Sequence, residues 1–149
     1  DAWYVFGRLY LLLPGWPLSF GNVPFAASFA RRAIDTYAKD DLKISYYKSL
    51  AEILWKRNWS SDKREREINN RERNLKNARN EHDTQAYYES ALGAGYSPEY
   101  TNRSLKEMSD RDEARIITDW LLDEYDRIES PDRGDRNNIK EVKDMVAEW

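Results

Sequence analysis

Between Ile34 and Trp55 the apolar positions are Ile34, Tyr37, Ala38, Leu42, Ile44, Tyr47, Leu50, Ala51, Ile53, Leu54 and Trp55. Spacings of three and four dominate, which is the signature of a helix with one buried face. The pattern turns helical from about Pro24 to Trp59, with an approximate helix over residues 31–58 and a break near Asp40 and Asp41, where two adjacent acids can cap a second helix. Residues 61–92 read differently. From Asp62 to Asp83, 13 of 22 residues are charged, and the apolar line narrows to Ile68, Leu75 and Ala78. Ile68, Leu75 and His82 stand seven apart, a thin contact line on a solvated helix. Glu67 with Arg71 and Glu72 with Lys76 are acid-to-base pairs at i, i+4 that support such a helix. Asp62 with Glu65 has capping-box spacing at its start, and Gly93 and Gly95 end it. Ala114, Ile116, Ile117, Trp120, Leu121, Tyr125 and Ile128 predict an amphipathic helix over 104–129, opened by Ser104 with Glu107 and stopped by Ser130-Pro131. The loop 132–136 follows. Asn138 with Glu141 then opens a last helix, 138–149, carrying Ile139, Val142, Val146 and Trp149. No strand-like alternation, internal repeat or linker interrupts this series. The fold class is all-α: an extended helical subunit with a long charged exposed helix and a Pro-broken apolar N-terminal segment.

That N-terminal segment sets residues 1–30 apart from the helical region 31–149. Leu9 to Ala30 is 22 residues without a charge, closed by Arg31-Arg32. The length matches the roughly 20 residues needed to span a bilayer core, and the flanking arginines suit its positive side. Pro14, Pro17, Gly21 and Pro24 divide it, and proline inside a helix removes a backbone donor that lipid cannot replace. Two placements follow: in or on a membrane, or folded as a loop or arm on protein. In the first, Trp3, Tyr4, Tyr10 and Trp16 are interfacial anchors and Arg31 and Arg32 the charged stop. Arg8, Leu13, Phe20, Ile68 and Leu75 complete the candidate membrane or partner contacts. The stretch is too long and irregular for a simple signal peptide. The first residue is Asp, as expected of a processed or trimmed chain.

Composition narrows the chemistry. The chain has 149 residues, 24 Lys plus Arg against 27 Asp plus Glu, a net charge of −3 and 13% aromatics. Charge is uneven, at +3 over residues 1–57, zero over 58–92 and −6 over 93–149, which suggests internal pairing or two different neighbours. With no Cys and one His, disulfide scaffolds, thiolate zinc, iron–sulfur clusters, cysteine nucleophiles and multi-His metal sites are excluded. His82 lies on the thin apolar line and reads as a helix–helix contact. Asp119, Asp123 and Asp126 share one helix face beside Glu124 and have the spacing to hold a hard cation, but an acidic outer face opposite Trp120 and Leu121 is what a solvated helix shows. Arg133-Gly134-Asp135 is the tripeptide that integrins read, placed here in a turn. Two sequons begin at Asn58 and Asn102. The basic residues Lys63, Arg64, Arg66, Arg71, Arg73, Lys76 and Arg79 alternate with as many acids, which cancels the field nucleic-acid binding requires. No nucleophile–base pair or apolar acid pair stands out. The expectation is a non-enzyme with no cofactor, no metal and no nucleic-acid partner.

Arg8, Tyr10, Leu12, Leu13, Gly15, Pro17 and Gly21 form a pattern that resembles the membrane segment of the SGDH-type accessory subunit of mitochondrial respiratory complex I. In that family an Arg precedes an aromatic–aliphatic run, a Gly-x-Pro and a further Gly. Gly95-Tyr96-Ser97-Pro98-Glu99-Tyr100 is similar to the family's Gly-Tyr-x-Pro-Glu stretch. The likeness covers about 20 residues, and the charged region 31–92 separates two pieces that lie close together in the family. It implies a non-catalytic subunit of the inner-membrane arm that holds neighbours together without redox cofactors.

The residues and the resemblance lead to one expectation. The chain is a structural, accessory subunit of a larger membrane-associated, respiratory-complex-type assembly, with protein partners, lipid contact through residues 9–30 and a mitochondrial inner-membrane location. The alternatives are a soluble, cytoplasmic helical binding module of viral or phage structural type, and a divalent-cation enzyme built on Asp119–Asp126.

Overall fold

The computed structural model describes residues 2, 4, 5, 8, 23–35, 42–77 and 98–149. Among them it is mostly helical, without a strand. Five helices follow in order: α1 (Val23–Ala33), α2 (Ile44–Arg57), α3 (Ser61–Asn77), α4 (Asp110–Asp126) and α5 (Arg133–Glu148), with a short 3-10 turn at Leu105–Glu107 before α4.

α2 is the hub. Its buried residues Ile44, Tyr47, Ser49, Leu50, Ala51, Ile53 and Leu54 leave little of its surface to solvent. α4 lies antiparallel to it, since Arg57 meets Asp110 at one end and Tyr47 meets Trp120 at the other. α5 runs alongside α2 in the same direction: Lys48 bonds Asn138 and Glu141, and Trp55 stacks on Trp149 at 4.1 Å. α4 and α5 therefore form a helical hairpin across the turn after Asp126. Ile117, Leu121, Ile139 and Val142 fill the space between these three helices with Leu50, Ile53 and Leu54. Each such side chain contributes about 1.5–3 kcal/mol through removal from water.

α1 supplies Ala26, Ala27, Ala30 and Ala33, all buried, and packs on α2. Small side chains let the two backbones approach closely. Pro24 falls in the first turn, where its missing N–H is tolerated, and the helix ends in a wider π-type turn at Ile34 and Asp35. Thus α1 crosses the boundary expected at residue 30. At least Ala26, Ala27 and Ala30 of the charge-free stretch are buried in the chain's own core. Residues 9–22 lie outside the described residues, as does the expected break at Asp40 and Asp41.

Helix ends explain the other departures. α2 closes with Asn58 in the left-handed conformation (φ 53°), its N–H on the Leu54 carbonyl; asparagine is the side chain after glycine that best accepts that geometry. The cap of α3 is Ser60, whose Oγ accepts from the Lys63 N–H at 3.2 Å, rather than Asp62 with Glu65. Ser104 leads only into the 3-10 turn and makes no side-chain cap, and α4 starts at Asp110 behind Ser109, whose hydroxyl accepts from the Asp112 N–H. α5 begins five residues earlier than its Asn138–Glu141 spacing suggested. Asp132 and Asp135 form a reciprocal capping box, so the expected loop 132–136 is the helix's first turn. A carboxylate at the third position serves that box whether it is Glu or Asp.

Candidate functional site

Where α1, α2, α3 and α4 meet, the interior is charged rather than apolar. α4 opens with Asp110 and Glu113, both fully buried. The Asp110 carboxylate accepts two bonds from Arg57, at 2.6 Å from Nε and 2.7 Å from Nη2, and a third from the Trp59 backbone N–H at 2.9 Å. The Asp110 N–H returns a bond to the Trp59 carbonyl. One residue thus clamps the α2–α3 corner to the start of α4.

Glu113 holds more. Arg31 of α1 donates to it with both terminal nitrogens, at 2.8 and 2.9 Å. Arg64 of α3 donates through Nη2 to the same carboxylate. The Tyr100 hydroxyl donates to Oε1 at 2.6 Å while accepting from Arg31 at 3.2 Å. Arg64 also lies 3.4 Å from Asp110, which joins the two halves of the network. Burial alone pushes the Glu113 carboxyl upward. The Arg31 and Arg64 charges, with bonds from Arg31 and Tyr100, overcome that and hold it well below the usual carboxylate range. It is held as an anion at neutral pH.

Beside the network, Tyr47 packs edge-on against Tyr100 and at 4.8 Å from Trp120. Its hydroxyl donates to Glu99 at 3.3 Å. Burial first, then the Glu99 charge and hydrogen bond and the Asp35 charge, raise the phenol above its ordinary value. Neither group is poised to exchange protons near neutral pH. The arrangement binds helix to helix.

Of the contact residues named from sequence, Trp3, Tyr10, Leu13, Trp16 and Phe20 lie outside the described residues. Leu75 falls on α3, but its side chain is outside the described set, as is His82. Arg8 pairs with Glu52 of α2 at 2.5 Å in a partly exposed site. Arg32 is half-buried and already engaged in an interaction within the chain. Arg31 and Ile68 are both buried inside this chain, Arg31 on Glu113 and Ile68 in the core cluster. The stripe on α3 therefore serves the chain's own core at Ile68. Arg64 leaves the list of surface cations for the same reason.

Asp119, Asp123 and Asp126 are exposed, and Glu124 pairs with Arg127 instead of facing them. Among the described residues no group of three His, Cys, Asp or Glu is placed to hold a metal ion. The Asp135 of the Arg-Gly-Asp tripeptide is held in the α5 capping box. Asn58, first of one sequon, is the α2 cap.

The network itself went unread in the sequence, yet a signal exists. Asp110 and Glu113 lie on the same face as Ala114, Ile117 and Leu121, at helical spacing. Arg64 sits four before Ile68, Arg31 four after Ala27, and Arg57 three after Leu54. A charge standing in register with an apolar stripe must find a buried partner or be displaced. Four helices each carry one or two such charges, with opposite signs on α4 and its neighbours.

No protein-family model matches this chain, and neither a curated protein nor a solved structure matches it.

Proposed function

We propose that the chain is a non-catalytic accessory subunit that holds neighbours together in a larger, membrane-associated assembly. The observation carrying this reading is the buried network of Arg31, Arg57, Arg64, Asp110 and Glu113. Its charged groups are paired with one another and fasten four helices, rather than converging on an open cleft. Lipid contact is assigned to the charge-free stretch Leu9–Ala30, of which residues 9–22 lie outside the described residues. Among the described residues no helix is long and apolar enough to cross a membrane, and Val5, half exposed, is the large hydrophobic left to solvent. The finer form of the reading, a respiratory complex I subunit of the inner mitochondrial membrane, rests on Arg8, Tyr10, Leu12, Leu13, Gly15, Pro17 and Gly21. In this chain Arg8 also pairs with Glu52.

A second reading, a soluble helical binding or viral structural module, is favoured by one observation. The end of the charge-free stretch is core helix, with Ala26, Ala27 and Ala30 buried. Alkaline carbonate extraction of membranes from cells expressing the chain separates the two. The membrane reading expects the chain to remain with lipid and Leu13→Arg to release it. Recovery of the unaltered chain as a soluble, defined oligomer would remove lipid contact from the account and favour the second reading.

A further inference from the structure

Two helices, α1 and α3, end their anchoring side chains on one carboxylate of α4. Arg31 reaches Glu113 from α1 and Arg64 reaches it from α3. All three side chains are essentially without solvent exposure. Among the described residues, Arg64 Nη2 finds its hydrogen-bond acceptor in Glu113, while Nε and Nη1 have none; Nη1 has only the ion pair with Asp110 at 3.4 Å. Arg64 thus depends on Glu113 remaining dry and in place.

We infer that Glu113 is a shared latch that makes α1 and α3 release from the core together. The reason is dielectric. A guanidinium–carboxylate pair at hydrogen-bond distance is several times stronger in a protein interior than in water. Exposed pairs have little net value. Lifting α1 removes Arg31 and admits water to Glu113, so the Arg64 bond falls to the strength of an exposed pair. Lifting α3 does the same to Arg31. The coupling is therefore positive and reciprocal. A pull on residues 9–22, which precede α1, is felt in α3. The inference concerns the chain alone and fails or stands separately from the membrane reading.

Native-state hydrogen exchange on the full chain tests it. Arg64→Met keeps the buried stem and removes the fork. The expected result is a loss of protection of roughly tenfold or more in the α1 amides of residues 27–33, which Arg64 does not share a helix with, while the middle of α5 changes less than twofold. Arg31→Met should do the converse to the amides of residues 64–69. Loosening confined to the substituted helix overturns the proposal. If Arg64→Met exposes every helix alike, Arg64→Lys, which retains the charge, supplies the same comparison at smaller amplitude. Equal loss across α1, α3 and α5 in that variant also overturns it, since the coupling would then not belong to the pair.

Discussion

Glu113 accepts from Arg31, Arg64 and Tyr100 while fully buried, and its energetics follow from that crowding. Removing one member of a buried ion pair costs about 3–5 kcal/mol, because the remaining charge is stranded without water. Glu113→Gln should therefore lower stability by about that amount at pH 7, measured by urea titration. The pH dependence has a definite sign. The folded carboxyl sits below its unfolded value, so its stabilisation is complete above the ordinary glutamate pKa of about 4.3 and is lost as pH falls through the folded value. The difference between the native chain and Glu113→Gln should be largest near neutrality and narrow steadily below about pH 4. A gap that is constant from pH 7 to pH 3 would remove the charge from the explanation.

At the scale of elements, α4 carries the network in its first turn, so its cap matters beyond its own helix. Ser109 Oγ accepts from Asp112, and Ser109→Ala should cost about 1 kcal/mol. Fraying there also loosens Asp110 and Glu113, so exchange should rise in the first turns of α3 as well as α4. An effect limited to residues 109–113 would separate cap from network. The helices themselves were largely legible, because α2 and α4 keep a wide apolar stripe of period 3.6. The starts of α4 and α5 were not. Ser104 and Asn138 offered plausible capping spacings, but Ser104 opens only a single 3-10 turn, and Asn138 instead accepts a bond from Lys48 of α2. Local spacing cannot report which polar side chain a neighbouring helix will claim. Arg64 was misplaced for a related reason: in a helix so rich in charge, one buried cation is invisible until α4 presents its two acids.

For the whole molecule, charge asymmetry along the chain acquires a physical meaning. The basic N-terminal region and the acidic C-terminal region meet in the interior: Arg31 and Arg57 come from the first, Asp110 and Glu113 from the second. Lys48 with Glu141 adds a pair of the same kind nearer the surface. Internal pairing was one of two explanations open from sequence, and these bonds realise it for the described residues.

The buried charges of Arg31, Arg57, Arg64, Asp110 and Glu113 fasten four helices to one another. Replacing the whole triad by apolar side chains of similar size tests it most directly, since a buried ion cluster exchanged for packed hydrophobes is often neutral or stabilising where a single deletion is not. The measurement is the melting temperature and the membrane retention of Arg31→Met/Arg64→Met/Glu113→Leu beside Glu113→Gln. The expected result is that the triple variant recovers most of the stability the single one loses and stays in the same fraction as the unaltered chain. A triple variant that folds as well as the original yet partitions differently between membrane and soluble fractions would show the opposite, because the charges would then be serving something other than the fold.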